Sequence, residues 1–270
     1  MADQLQGITI ALAGPRKSEE LAKLVANMGG NALLRPAQGT VFLDGEELRR
    51  ELAAWIADPP DWSILTTGMG LDALFESAAG MGQEERFREV LAGSSIAARG
   101  YKTVNALKKR GLVPAVRDDD GSTSGLIRGL EPYDLRGTRA VLQLHGDPAP
   151  RLNAWLQEAG ASVRQILPYK HLPPEEESLA LLLEEIVQGK LDAVSFTSAP
   201  QIRFLAEYAE SRGLLPAMLE AFETSVLAVS VGKVTADSLK EAGINRIVVP
   251  EQERMGSMMV ELGRYLAARR

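Results

Sequence analysis

Apolar positions along this chain alternate between two periodicities. Ile8-Thr-Ile-Ala-Leu-Ala13 is a short apolar run of the kind that forms a buried strand. Leu21, Leu24, Val25 and Met28 then follow the i, i+3, i+4, i+7 spacing of a one-sided helix, and Gly29-Gly30 ends it as a left-handed cap would. Asn31 to Pro36 reads as extended. Further on, Ser95–Ala98 and Ala140–Leu144 read as strands and Ser122–Leu130 as a short helix. Strands alternating with amphipathic helices predict an α/β fold of mostly parallel sheets flanked by helices.

The pattern also repeats itself. Leu21, Leu24, Val25, Met28 and Gly29 are matched by Leu152, Trp155, Leu156, Ala159 and Gly160, each 131 residues later. Asp61-Trp-Ser-Ile-Leu-Thr-Thr67 matches Asp192-Ala-Val-Ser-Phe-Thr-Ser198 at the same offset. The segment Gly100–Gly111 matches Gly232–Gly243 at 132. Matches in one order at a nearly constant offset mark a duplication of a half-chain unit. The second copy opens near Gly137. Two arrangements satisfy this pattern. In one, the equivalent extended stretches Asn31–Gln38 and Val163–Leu172 are paired crossings, so that a lobe of residues 40–169 is inserted into a lobe of residues 1–39 and 170–270. In the other, tandem lobes split near Arg136.

Composition narrows the chemistry. The chain has 270 residues and a formal charge of −6, so no global basic field draws it to nucleic acid or an anionic membrane. Cysteine is absent, which excludes thiol catalysis and cysteine-ligated metals, and the only histidines are His145 and His171. No apolar run reaches the ~18–20 residues of a membrane span. The opening residues carry acid where a secretion signal would carry base, so a cytoplasmic chain is expected.

Several loops after strand ends hold candidate chemistry, since ligands of open α/β sheets bind there. Thr66-Thr67-Gly68-Met69-Gly70 has the spacing of a dinucleotide turn, but the next strand ends in Arg99-Gly100 without the ribose-binding acid. In the repeat, Gly68 and Gly70 become Ala199 and Gln201, which favours a turn that merely needs small residues. Gly100, Lys102 and Thr103, and again Gly232, Lys233 and Thr235, open helices. They read either as plain helix-start chemistry or as anion sites of bare amides and a lysine. Thr67 and Gly68, like Thr197, Ser198 and Ala199, offer hydroxyl and N–H donors of the same kind. Asp118-Asp119-Asp120-Gly121 lacks the ligand pattern of a calcium loop and reads as a solvated turn. Glu175–Glu177 and Glu184-Glu185 read as helix-start and solvent-face charge. His145 lies just past a strand end. Tyr169, Lys170 and His171 sit together in a proline-bounded crossing.

Taken together, the arginine loop Gly14-Pro15-Arg16, Leu-Asp-Ala-Val-Ser-Phe-Thr-Ser198, the Tyr169 crossing and Val-Gly232-Lys-Val-Thr235-Ala-Asp-Ser-Leu resemble the uroporphyrinogen-III synthase family, in a divergent branch. The resemblance spans essentially the whole chain. It implies two similar α/β lobes, one inserted in the other and joined by a two-stranded β linker. It implies a lyase of tetrapyrrole and heme biosynthesis that closes hydroxymethylbilane to uroporphyrinogen III with loss of water and inversion of ring D. No metal or cofactor is implied, nor any nucleic-acid or membrane partner, and the default state is a monomer. By the same resemblance Tyr169 is the proton donor to the departing hydroxyl. Arg16, Thr67, Gly68, Arg99, Gly100, Lys102, Thr103, His145, Thr197, Ser198, Ala199, Gly232, Lys233 and Thr235 meet the substrate, whose eight carboxylates should draw Arg16, Arg99, Lys102, Lys170 and Lys233 to one cleft. The chain departs from the family pattern at Thr67-Gly68-Met69, where Thr-Ser-Pro is usual, and at Gly14-Pro15-Arg16, where a Thr-Arg-Pro-like start is usual. A non-catalytic tetrapyrrole or anion sensor of the same fold is the alternative, and a nucleotide-dependent oxidoreductase is a third.

Overall fold

The computed structural model describes residues 4–268 apart from Arg16, Asp44, Asp119 and Asp147. The chain begins β1 (Thr9–Leu12), α1 (Ser18–Asn27), β2 (Asn31–Leu34) and β3 (Gly39–Phe42). It continues α2 (Glu46–Ala57), β4 (Trp62–Leu65), α3 (Gly68–Gly80), α4 (Glu84–Gly93), β5 (Ser95–Ala98), α5 (Tyr101–Lys108), β6 (Val116–Arg117) and α6 (Thr123–Leu130). The second copy supplies β7 (Arg139–Gln143), α7 (Pro150–Glu158), β8 (Ser162–Ile166), β9 (Tyr169–Leu172), α8 (Glu176–Val187), β10 (Ala193–Phe196) and α9 (Ala199–Ser211). It ends α10 (Leu215–Thr224), β11 (Leu227–Ser230), α11 (Lys233–Glu241), β12 (Ile247–Val248) and α12 (Met255–Ala267).

Two compact units result: Met1–Gly39 with Leu172–Arg270, and Thr40–His171. The first holds a parallel sheet of strand order β12-β11-β10-β1-β2, the second one of order β6-β5-β4-β7-β8. These orders are the same once the repeat is applied, so β1 answers to β7 and β10 to β4. Matched hydrogen bonds show it: Asp192 Oδ2 accepts from Thr9 N–H at 2.7 Å, and Asp61 Oδ2 from Arg139 N–H at 2.8 Å. Each unit therefore combines the opening strands of one copy with the closing strands of the other. The two copies have exchanged halves within one chain.

Both sheets are covered on both faces. In the first unit Ala11 and Val194 face the cluster with Leu182, Ile202 and Phe222, while Ile10 and Leu12 face Val25, Met258 and Leu262. In the second, Leu65 and Val141 face Trp55, Phe75 and Phe87, while Ile64 and Leu142 face Leu126, Leu130 and Leu152. Strands buried on both faces need continuous apolar runs rather than alternation, which is what these segments carry. Gly29 (φ 84°) and Gly160 (φ 89°), at equivalent places in the repeat, close α1 and α7 in the left-handed conformation that the Gly29-Gly30 pattern anticipates.

One half of the paired crossing falls where it is expected, β9 lying within Val163–Leu172, whereas β3 begins one residue past Asn31–Gln38. β2 and β8 are edge strands of the two sheets, and the ladder is formed by β3 and β9. Leu43 N–H donates to Pro168 O while Thr40 lies beside His171, so the two strands run antiparallel. Asn31–Gln38 was too early because its apolar residues complete a sheet. A second correction concerns Glu185, expected on a solvent face. It is buried at 8% exposure and takes the Arg35 guanidinium through both oxygens, at 2.7 and 2.8 Å. This forked ion pair ties the segment leaving β2 to helix α8. Removing one partner strands a desolvated charge, so Glu185→Ala should lower stability by about 3 kcal/mol in urea unfolding. Glu185→Ala at wild-type stability would show that the pair contributes nothing net.

Candidate active site

In the second unit the chain runs outward from β4 to β6 on one side, then returns to place β7 and β8 on the other. The order of strands reverses between β4 and β7, and a crevice opens outside their carboxyl ends at such a switch point. The β4 loop there is Thr66-Thr67-Gly68, and the β7 loop is Leu144-His145-Gly146.

One buried side chain organises both loops. Gln143, 0% exposed, ends β7, and its Oε1 accepts from Thr66 N–H at 3.1 Å and Thr67 N–H at 3.3 Å. Those two amides fix which end of the side chain is oxygen. Its Nε2 therefore donates to Leu144 O and, at 3.2 Å, to Thr67 Oγ1. Thr67 is also the N-cap of α3, its Oγ1 accepting from Gly70 N–H at 3.1 Å. Two N–H donors thus occupy both acceptor positions of the Thr67 hydroxyl. The third neighbour is Tyr169 Oη at 3.0 Å, so Thr67 donates to the phenol. The phenolic proton is not used in that hydrogen bond.

Tyr169 is 1% exposed, packed edge-on to His171 at 5.3 Å between ring centres and tilted against Phe42 at 6.1 Å. Gly146, at φ 88°, passes close beneath it. A Cβ there would lie 2.8 Å from Tyr169 Cε2 and 2.5 Å from His171 Cδ2, so both conformation and space demand glycine. Arg99 extends from the end of β5, its Nε reaching Thr66 O at 3.3 Å and its Nη1 reaching Thr123 Oγ1 at 2.9 Å. Burial pulls the Arg99 guanidinium below its ordinary pKa, against the opposing pull of Tyr169 and Asp118.

The glycines of the β4 loop serve packing. A Cβ on Gly68 would meet the Lys102 carbonyl oxygen at 2.7 Å, and one on Gly70 would overlap Gln143 Nε2. Packing against this chain's own atoms accounts for both glycines, which removes the reason for a dinucleotide reading. At the switch point of the first unit the amide comes from another element. Gln201 of α9, the counterpart of Gly70, accepts from Thr197 N–H at 2.8 Å and donates to Thr197 Oγ1 at 3.0 Å. Ser198, the counterpart of Thr67, donates to Gln38 instead. By strand register Gln143 answers to the buried Ala13. The Gly70-to-Gln201 change in the repeat is thus half of a compensated pair.

The helix-start residues depart from expectation. Thr103 and Thr235 cap nothing; both are buried, and Thr103 donates to the Arg99 carbonyl. Gly100 N–H is taken by the Asp118 carboxylate, which also receives Gly121 N–H. Lys233 N–H is taken by Glu253 Oε1 at 2.9 Å. Gly232 is extended rather than left-handed, and a Cβ there would lie 2.6 Å from Glu253 Cδ, so it is glycine to admit that carboxylate. Asp118 therefore closes its own turn onto Gly121, as the turn reading expects, and in addition takes the amide at the start of α5. Its neighbour Asp120 is held at a pKa of about 2 by hydrogen bonds from Ser122 and by Arg128. Lys102, Lys170 and Lys233 are exposed, and His145, Thr197, Ser198 and Ala199 are half-buried. Arg16 lies outside the described residues.

Gln143, Gly146 and Glu253 carried no role in the sequence reading, and Asp118 was read only as part of a turn. Gln143 left a signal, a lone amide at the end of an apolar strand. The carboxylate caps left none, because each lies many residues from the amide it serves.

Two doubly covered parallel sheets built from exchanged copies define a duplicated α/β protein, with a buried tyrosine beside the switch point of its second unit. Residues 19–260 match the family described as uroporphyrinogen-III synthase HemD, and the chain belongs to that family. The crystal structure of a mutant uroporphyrinogen III synthase from Thermus thermophilus is similar, with TM-score 0.81 and 35% identity, over 97% of this chain and 100% of that one. A Bacillus subtilis protein described as uncharacterized, YjjA, is 45% identical over 98% of both chains. The uroporphyrinogen-III synthetase structure from Helicobacter pylori, at 16% identity and TM-score 0.56 over 96% of this chain and 99% of that one, shares the fold.

The caps yield a prediction. Replacing Glu253 by Ala removes a carboxylate from the start of α11 and should cost about 1 kcal/mol in thermal or urea unfolding. An unchanged midpoint would mean that solvent satisfies the Lys233 amide equally well.

Proposed function

We propose that this chain acts as a uroporphyrinogen-III synthase, closing hydroxymethylbilane to uroporphyrinogen III with loss of water and inversion of ring D. The observation that carries this reading is the Tyr169 phenol held at the switch point with Thr67 donating to its oxygen. A hydroxyl on a carbon beside a pyrrole departs when it receives a proton while the ring nitrogen pushes electrons toward that carbon. Water and an electrophilic azafulvenium cation result, and return of the ring N–H proton to the phenolate gives the neutral azafulvene. A phenol with an ordinary pKa near 10 is protonated at neutral pH and can supply that proton. As it does, negative charge develops on Tyr169 Oη. The Thr67 hydroxyl and the desolvated Arg99 cation stabilise that charge more than water would.

The azafulvene is then attacked by the substituted carbon of ring D, and the spiro product fragments and recloses inverted. Most of the protein's work in this step is positioning, since the chain must be coiled so that the more hindered carbon reacts. Within the second unit, carboxylate side chains of the substrate would be met by Arg99 and the exposed Lys102 and Lys170, with the half-buried His145 as a further polar residue. The Gly100 and Lys233 amides are not among the receivers in this proposal, because Asp118 and Glu253 hold them. Since Tyr169 is buried, turnover requires its surroundings to open around the substrate. As part of the same proposal, the protein works as a cytoplasmic monomer.

Incubating purified protein with hydroxymethylbilane and separating the product isomers tests the reading. Isomer III should predominate, and Tyr169→Phe should lower kcat by about 10–100-fold, the usual worth of a positioned acid. Isomer I alone, with tetrapyrrole binding but no acceleration, would leave a sensor rather than an enzyme.

A further inference from the structure

Arg99 stands where the matching turn of the first unit folds without a charge. Its backbone N–H donates to Leu65 O at 2.9 Å, just as Val231 N–H donates to Phe196 O at 3.0 Å in the first unit. The offset of 132 that aligns Gly100–Gly111 with Gly232–Gly243 also sets Arg99 against Val231 and Thr123 against Met255. It holds into α6 and α12, where the buried Leu126 and Leu130 answer to the buried Met258 and Leu262. Val231 and Met255 both pack against the core around Ile10 and Leu12. One turn is finished with apolar contact, its twin with a guanidinium.

That guanidinium is held but not neutralised. Its Nε donates to Thr66 O at 3.3 Å and its Nη1 to Thr123 Oγ1 at 2.9 Å, and both acceptors are uncharged. Among the described residues no carboxylate forms an ion pair with it. Asp118 acts on it through space, but the Asp118 oxygens are taken by the Gly100 and Gly121 amides. Thr123 opens α6, so the cation also lies at the positive end of a helix dipole, the reverse of the stabilising placement. Holding a half-buried cation among neutral partners costs desolvation that a valine would not incur. Nη2 meets no acceptor among the described residues.

We infer that Arg99, seated on Thr123, is a specificity-determining anion site of the second unit, kept at a cost to folding, whose remaining N–H donors take one carboxylate of the ligand. The inference rests on the proposed function for the identity of that ligand, a tetrapyrrole acid. It adds α6 to the site, with Thr123 as the residue that positions the guanidinium. It also separates Arg99 from Lys102 and Lys170. An exposed lysine attracts any anion by charge, whereas a planar guanidinium oriented by two hydrogen bonds accepts a carboxylate from one direction. The ligand carboxylate supplies the counter-ion that the fold leaves out.

The first unit supplies the test variant, since Arg99→Val with Thr123→Met installs its apolar pair. The urea unfolding midpoint of that variant should equal or exceed that of wild type, as expected where a site sacrifices stability to function. Its Kd for uroporphyrinogen III, from calorimetric titration under reducing conditions, should rise at least about tenfold, the usual worth of a hydrogen-bonded charge. A lower midpoint overturns the inference and makes Arg99 a structural tether between the β4 loop and α6. An unchanged Kd overturns it as well. Should the pair exchange not fold, Arg99→Met with Thr123 retained is judged by the same two readings. Neither reading needs turnover. Wild-type protein that binds uroporphyrinogen III yet fails the isomer assay would defeat the proposed activity and leave this inference standing, whereas wild-type protein that binds none overturns it.

Discussion

The pairing of β4 with β7, and of β1 with β10, sets everything else in place. Each pairing joins a strand of one copy to a strand of the other, in register over three or four residues. A parallel strand leaves its edge groups unsatisfied until a neighbour arrives, and in this chain the neighbour comes from the other copy. Because the connections leave in opposite directions from each such pair, it is also the point where strand order reverses. The cross-copy seam and the topological switch point are therefore the same place.

At that seam two loops meet with their backbone groups turned toward one another, and a buried amide has to satisfy them. The two units solve the problem differently. The first takes the amide from helix α9, with a small residue on the strand. The second takes it from strand β7, with glycine on the helix. Either solution clamps the turn. Only the second brings an N–H to the N-cap hydroxyl, and in that unit the hydroxyl supports a tyrosine. A difference of two residues between otherwise matched halves thus decides whether the N-cap hydroxyl receives an amide N–H.

Much of the architecture was legible in the chain. Apolar runs gave the strands, i, i+3, i+4 spacing gave the helices, and the constant offset exposed the duplication. Thr67, Tyr169 and Arg99 converge on one site although they lie far apart in sequence, and the family pattern drew attention to each. What stayed hidden depends on long-range partners. Glu185 looks like surface charge until Arg35 arrives from 150 positions away. Asp118 and Glu253 look like loop acids until the helix starts they cap are folded beside them. The first strand of the crossing ladder was misplaced by a few residues, because extended character alone does not say which sheet a segment will complete.

In the proposed reaction the reacting centre lies on the loops after β4 and β7. Amide hydrogen exchange with and without uroporphyrinogen III under reducing conditions tests that placement most directly. Protection on product binding should appear at Thr66–Gly70, at His145-Gly146 and on the strand carrying Tyr169. Protection confined to other surfaces, such as the face between α8 and α9, with these loops unchanged, would contradict it.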